Sequence, residues 1–195
     1  PQLETPWAPA CRSCTTIAMA DLERLVALVH KNIGRKRIWL TEFGYQTNPP
    51  DLFLGVSPTT QAQHIANASR RVQLARSVDM LIFFLVRDDT EDGGWQSGLT
   101  TADGVKKPAY TAFRFPFVRT SSNGGLVRLW GQIRPRSGPQ PYRIRVLRDG
   151  RWSWLGGTHV TGARGVLTVT VRAPAGTLVQ LWSVRDGVAS LSVRV

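Results

Sequence analysis

The spacing of hydrophobic and polar positions along this chain changes character twice. From Met19 to Ile33 the apolar residues Leu22, Leu25, Val26, Val29 and Ile33 recur three and four positions apart, which places them on one face of a helix. Gly34 is a suitable stop for that helix. The pattern then becomes a short continuous run, Ile38-Trp39-Leu40-Thr41, ending in Glu42-Phe43-Gly44-Tyr45. Bulky and β-branched residues in a run this short predict a buried strand, and apolar side chains on both faces suit a parallel strand covered by helices. After Asn48-Pro49-Pro50 breaks the chain, Ser57-Pro58 offers an N-cap with proline in the first turn. A second helix is expected to about Ser77, with Ile65, Ala68, Val72 and Ala75 inward. A second buried strand, Val78–Val86, follows and ends in Arg87-Asp88-Asp89. Helix–strand–helix–strand order predicts α/β layering.

Beyond Phe117 the rhythm becomes two. Tyr142, Ile144 and Val146 alternate with arginines; Leu167, Val169 and Val171 alternate with threonines; Leu191, Val193 and Val195 alternate with Ser192 and Arg194. Asp149-Gly150 supplies hairpin chemistry between two such runs. About six short strands without a helix predict a small all-β sandwich. It resembles the immunoglobulin-like or fibronectin-like modules appended to exported bacterial enzymes. Thr120-Ser121-Ser122-Asn123-Gly124-Gly125 reads as a linker by composition. The expected organisation is an α/β part over 1–118, a linker over 119–125 and the sandwich over 126–195.

In the α/β part the order of motifs narrows the reading. Thr41-Glu42-Phe43-Gly44 is followed by the Phe84 to Asp89 segment, then Trp95-Gln96-Ser97-Gly98-Leu99, then Lys107-Pro108-Ala109-Tyr110. Together these residues resemble the end of a clan A glycoside hydrolase, the retaining (β/α)8-barrel superfamily that includes cellulases and β-xylosidases. The resemblance implies the last two strands of a TIM-type barrel with their helices, a carbohydrate substrate and no organic or metal cofactor. It places Glu42 at the end of the seventh strand as catalytic nucleophile. Tyr45 and Trp95 are then candidates to stack on sugar, or else to anchor loops. Arg87 and Asp89 are candidates to bind substrate hydroxyls, or else to form a structural ion pair. Where many members carry a tryptophan platform on the eighth strand, this chain has Phe83-Phe84-Leu85.

The catalytic pair is incomplete. The family's acid/base is a glutamate preceded by asparagine, and no Asn-Glu pair occurs in the sequence. Two barrel-like strands also fall far short of the eight a closed barrel needs. The expectation is an N-terminal fragment of the same protein, docked against this chain, that carries the remaining strands and the acid/base. Residue 1 is proline rather than methionine, in keeping with a processed product that is inactive alone.

Charge widens the options. The net charge is +12, and from Thr120 onward eleven arginines face only Asp149 and Asp186. Such a surface attracts polyanions, although no nucleic-acid motif accompanies it, and alternating arginines are also an ordinary solvated strand face. Trp152, Trp154 and Trp182 are read as packing residues ahead of a carbohydrate-binding face. Cys11 and Cys14 fit a local disulfide in a secreted or cell-surface protein, with free thiols left open. A four-ligand zinc site on these cysteines would need two more ligands, and the scattered His30, His64 and His159 are poor candidates to supply them. No membrane-spanning run is present. The sequence therefore predicts a retaining glycosidase, with a non-catalytic carbohydrate- or wall-binding protein as the alternative.

Overall fold

A computed structural model describes residues 5–9, 13–90, 94–136 and 138–195. The chain divides into two compact units, Pro1–Tyr110 and Thr111–Val195. The expected Cys11–Cys14 bridge involves Cys11, which lies outside the described residues.

In the first unit, a single 3₁₀ turn leads into α1 (Leu22–Asn32), then β1 (Ile38–Phe43), α2 (Pro58–Leu74) and β2 (Val78–Phe83). A third helix, α3 (Pro108–Arg114), begins at the end of this unit. β1 and β2 pair in parallel, Ile38 with Val78 and Phe43 with Phe83. Parallel neighbours require a crossover, and α2 supplies it. Ser57 caps α2 as its sequence suggests, accepting the Thr60 N–H at 3.1 Å, with Pro58 in the first turn. The helix ends three residues earlier than expected, at Leu74. Arg71 ties it to the start of α1, donating to the Ala20 carbonyl at 2.8 Å and pairing with Glu23.

The expectation of two fully buried strands needs correction. Trp39 is 62% exposed, Ile82 43% and Met80 38%, and Ile33 at the end of α1 is 66% exposed. A two-stranded sheet has no further strands to cover such side chains, so an apolar run that reads as interior lies partly in water.

The second unit is antiparallel throughout its paired strands. One sheet has the order β3 (Phe117–Asn123), β4 (Leu126–Gln132), β7 (Val166–Arg172). The other runs β10 (Val193–Arg194), β8 (Leu178–Ser183), β5 (Pro141–Arg148), β6 (Arg151–Val160), with β9 (Val188–Ala189) on β8. Leu129, Leu167 and Val171 from the first sheet share one core with Ile144, Val146 and Leu181 from the second. Alternation explains this: on β5 every second residue, Tyr142, Ile144 and Val146, is buried. Asp149-Gly150 forms the predicted two-residue hairpin turn, both residues with positive φ.

Residues 119–125, expected to be a linker, are instead the later part of β3 and the β3–β4 turn. Asn123 pairs with Leu126 across Gly124 and Gly125, whose φ values are 56° and 74°. Gly-Gly is linker chemistry and also the chemistry of a tight hairpin, and composition alone does not separate the two. The tryptophan reading also changes. Trp152 and Trp154 are 37% and 43% exposed, and none of Trp152, Trp154 and Trp182 belongs to the shared core.

Candidate active site

Because β1 and β2 are parallel, their C-terminal ends lie at one edge of the sheet, and Glu42 is the penultimate residue of β1. Glu42 lines a cleft of about 220 Å³ together with Phe43, Gln46, Phe84, Trp95 and Ser97. Gly44 permits the cleft to form. The Phe84 N–H donates to the Phe43 carbonyl at 2.9 Å, and a Cβ at position 44 would collide with the Phe84 carbonyl oxygen. The Ser97 hydroxyl donates to that same carbonyl at 2.6 Å, fastening the loop after β2 back onto the end of that strand.

The loop is fixed from beneath by a buried ion pair that sequence reasoning did not single out. The Lys107 ammonium donates to both Asp88 carboxylate oxygens at 2.9 and 2.8 Å, to Thr47 Oγ1 at 3.0 Å and to the Gln96 carbonyl at 3.0 Å. Both partners are almost fully buried. Asp88 Oδ1 also accepts the Gly98 N–H at 2.6 Å. Burial pushes the Lys107 ammonium below the usual lysine range, and Asp88 opposes that shift. No short pattern links residues nineteen positions apart, so only the fold brings this pair together. Gln61 had a fainter signal, a polar residue in line with Ile65 and Ala68 on the inner face of α2. Its amide donates to the Tyr45 carbonyl at 2.8 Å and the Ser97 carbonyl at 3.1 Å, joining the two loops. Gln46, also missed, accepts the Gln96 N–H at 3.0 Å.

The predicted residues part company here. Glu42 is exposed, and Trp95 is 48% exposed with its ring edge-to-face on Phe84 at 5.7 Å; the cleft brings these two together. Tyr45 is not a platform: it is 4% exposed, packed on Phe43 at 5.5 Å and on His64 at 4.6 Å. Arg87 donates to the Ala102 carbonyl, and Asp89 accepts the Trp95 N–H at 2.7 Å. Both residues shape the loop, and neither is among the residues lining the Glu42 cleft. Among the described residues no cluster of His, Cys, Asp and Glu is arranged to hold a metal ion, and no helix is long and apolar enough to cross a membrane.

His64 supplies a test of this packing. Burial lowers its pKa below 6.5, and its Nδ1 has no partner among the described residues. The unfolded chain then takes up the proton first, so unfolding becomes easier as pH falls through 6.5. Thermal melts from pH 8 to pH 5 are expected to show a loss in the first unit that His64→Phe reduces. An equal loss in His64→Phe would assign it elsewhere.

No protein-family model matches the chain, and no curated protein is similar to it at a significant level. Over 89% of its length it is similar to three solved glycoside hydrolases, each at 14% identity. These are an FMN-binding β-glucuronidase from Facaelibacterium prausnitzii L2-6 (TM-score 0.41), a Bacteroides uniformis β-glucuronidase (0.43) and a putative β-galactosidase from Bacteroides fragilis (0.45). The chain spans 28%, 24% and 30% of their respective lengths. Likeness this slight is not itself a basis for assigning fold or activity.

Proposed function

We propose that the first unit is the closing part of a retaining glycoside hydrolase barrel, with Glu42 as its nucleophile. The observation that carries this reading is the shared cleft at the C-terminal edge of two parallel strands, where an exposed carboxylate meets a half-exposed indole. Catalytic groups of parallel α/β barrels gather at that edge. An indole face offers a pyranose its apolar C–H surface, and the carboxylate beside it attacks the anomeric carbon. The glycosidic bond breaks as the leaving oxygen takes a proton from a second carboxylic acid. Water, deprotonated by that second group, then displaces Glu42 and releases the sugar with its configuration retained.

The second carboxyl must lie about 5 Å from the first. Among the described residues lining the cleft Glu42 is the one carboxylate, so the partner comes from further strands of the barrel. Their place is beside β1 and β2, where Trp39, Met80 and Ile82 are exposed. Such strands, on a companion segment of the same protein, would bury those side chains. The whole enzyme would be exported, as the sequence suggests.

The test is covalent trapping. In the protein with its companion strands, a panel of activated 2-deoxy-2-fluoro glycosides should leave a glycosyl adduct on the peptide containing Glu42. The fluorine slows hydrolysis of the intermediate more than its formation. Turnover without any trappable adduct, or an adduct on another carboxylate, would remove Glu42 from this role.

A further inference from the structure

The second unit holds thirteen arginines and no lysine, against Asp149 and Asp186. Arg143 and Arg145 project from the face of β5 opposite its core residues. The strand registers set Trp182 beside Arg143, and Gln180 and Trp154 beside Arg145, all on that outer face. The result is a ladder of cations and indoles. The Arg143 guanidinium stands 4.0 Å from the ring centroid of Trp154, and that of Arg145 stands 4.8 Å from those of both Trp152 and Trp182. Trp154 and Trp182 meet edge to face at 5.9 Å. Arg145 Nε donates to Gln180 Oε1 at 2.8 Å, and Gln180 Nε2 donates to Ser192 Oγ at 3.2 Å.

Two long cations are thus held in place by rings and an amide, not by acids. Among the described residues no carboxylate pairs with either arginine, and the buried Arg143 Nε–H finds no acceptor. A guanidinium fixed beforehand loses less entropy when it binds, and its planar fork matches oxyanions in two-point contact.

We propose that this outer face of the β10-β8-β5-β6 sheet binds an acidic polysaccharide, with Arg143 and Arg145 forking onto its carboxylate or sulfate groups. Gln180 and Ser192 lie alongside as partners for hydroxyls. The same contacts disfavour the competing polyanion. Single-stranded nucleic acid relies on stacking bases against aromatic faces, and here a guanidinium already covers an indole face at each of three tryptophans. Neutral sugars would meet the same covered rings and leave both cations unpaired. The inference rests on the second unit and stands apart from the role of Glu42.

The experiment is affinity electrophoresis of the full chain at about 0.15 M salt, where weak surface attraction is screened. The gels contain polygalacturonate, dextran sulfate, fully methyl-esterified polygalacturonate, or poly(dT). Retardation is expected with one or both acidic polysaccharides and not with the ester, and the stronger of the two identifies the anion. Arg143→Gln/Arg145→Gln should weaken binding by about a hundredfold, roughly tenfold per charge-assisted contact. Arg164→Gln/Arg172→Gln removes the same charge from elsewhere in the unit and should change it less than about threefold. Should the first pair fail to fold, Arg143→Lys/Arg145→Lys keeps the charge, removes the fork and should still cost about tenfold. The proposal is overturned by no retardation with either acid, by poly(dT) binding as tightly, by equal loss in both glutamine pairs, or by full affinity in the lysine pair.

Discussion

Lys107→Met is expected to loosen the loop between β2 and α3 by about 3–5 kcal/mol, because removing one partner of a buried ion pair strands the other. The methionine would fill much the same space, so the loss would be electrostatic and not a cavity. Asp88 would keep the Gly98 N–H but lose the cation that meets both of its oxygens. Thr47 and the Gln96 carbonyl would lose their shared donor as well, and these two connect the loops on either side of the cleft. Because the chain has two units, a single melting temperature mixes two transitions. Hydrogen exchange resolves the matter locally: peptides from 84–107 should exchange about two to four orders of magnitude faster, while peptides from β4 and β5 stay protected. Replacing both partners with apolar residues, Asp88→Leu/Lys107→Met, should cost less than the single change, since neither charge is left alone. Unchanged exchange over 84–107 in Lys107→Met would mean that the pair does not hold the loop.

That pair also marks where the sequence stopped being informative. Helix spacing in 22–33, the Ser57-Pro58 cap, the order of elements in the first unit and the Asp149-Gly150 hairpin all follow from local chemistry, and local chemistry was legible. Four things were not. Trp39, Met80 and Ile82 carry the pattern of an interior strand, and pattern cannot say whether neighbouring strands are present to cover them. Gly124-Gly125 serves a hairpin and a linker equally well until Asn123 is seen opposite Leu126. At the site, Tyr45 and Trp95 both stood as aromatic residues near a carboxylate, able to stack on sugar or to anchor a loop. Ring contacts with Phe43 and His64 turn one inward, while the Asp89–Trp95 hydrogen bond leaves the other at the cleft. Roles of loop residues such as Arg87 and Asp89 depend on which backbone groups need partners, and only the folded loop reveals those.

Glu42→Gln is expected to abolish turnover, by about ten-thousandfold or more, in the protein assembled with the strands that complete its barrel. The exchange is nearly isosteric at an exposed strand end, so folding and sugar binding should be unaffected. An amide oxygen is a poor nucleophile, and losing one member of a covalent catalytic unit typically costs several powers of ten. A loss of that size alone would not distinguish attack at the anomeric carbon from electrostatic support of the transition state. Glu42→Ala does, because it vacates the position from which the carboxylate attacks. With azide and a substrate bearing an activated leaving group, azide can enter there and displace the leaving group once. The product would be a glycosyl azide of inverted configuration, where the native enzyme, displacing twice, retains it. Recovery of an inverted azide would assign the attacking atom to Glu42. A retained azide would require two displacements, making Glu42 the acid/base and placing the nucleophile on another carboxylate, whereas activity within a few-fold of native in Glu42→Gln would leave the cleft a sugar-holding surface without chemistry of its own.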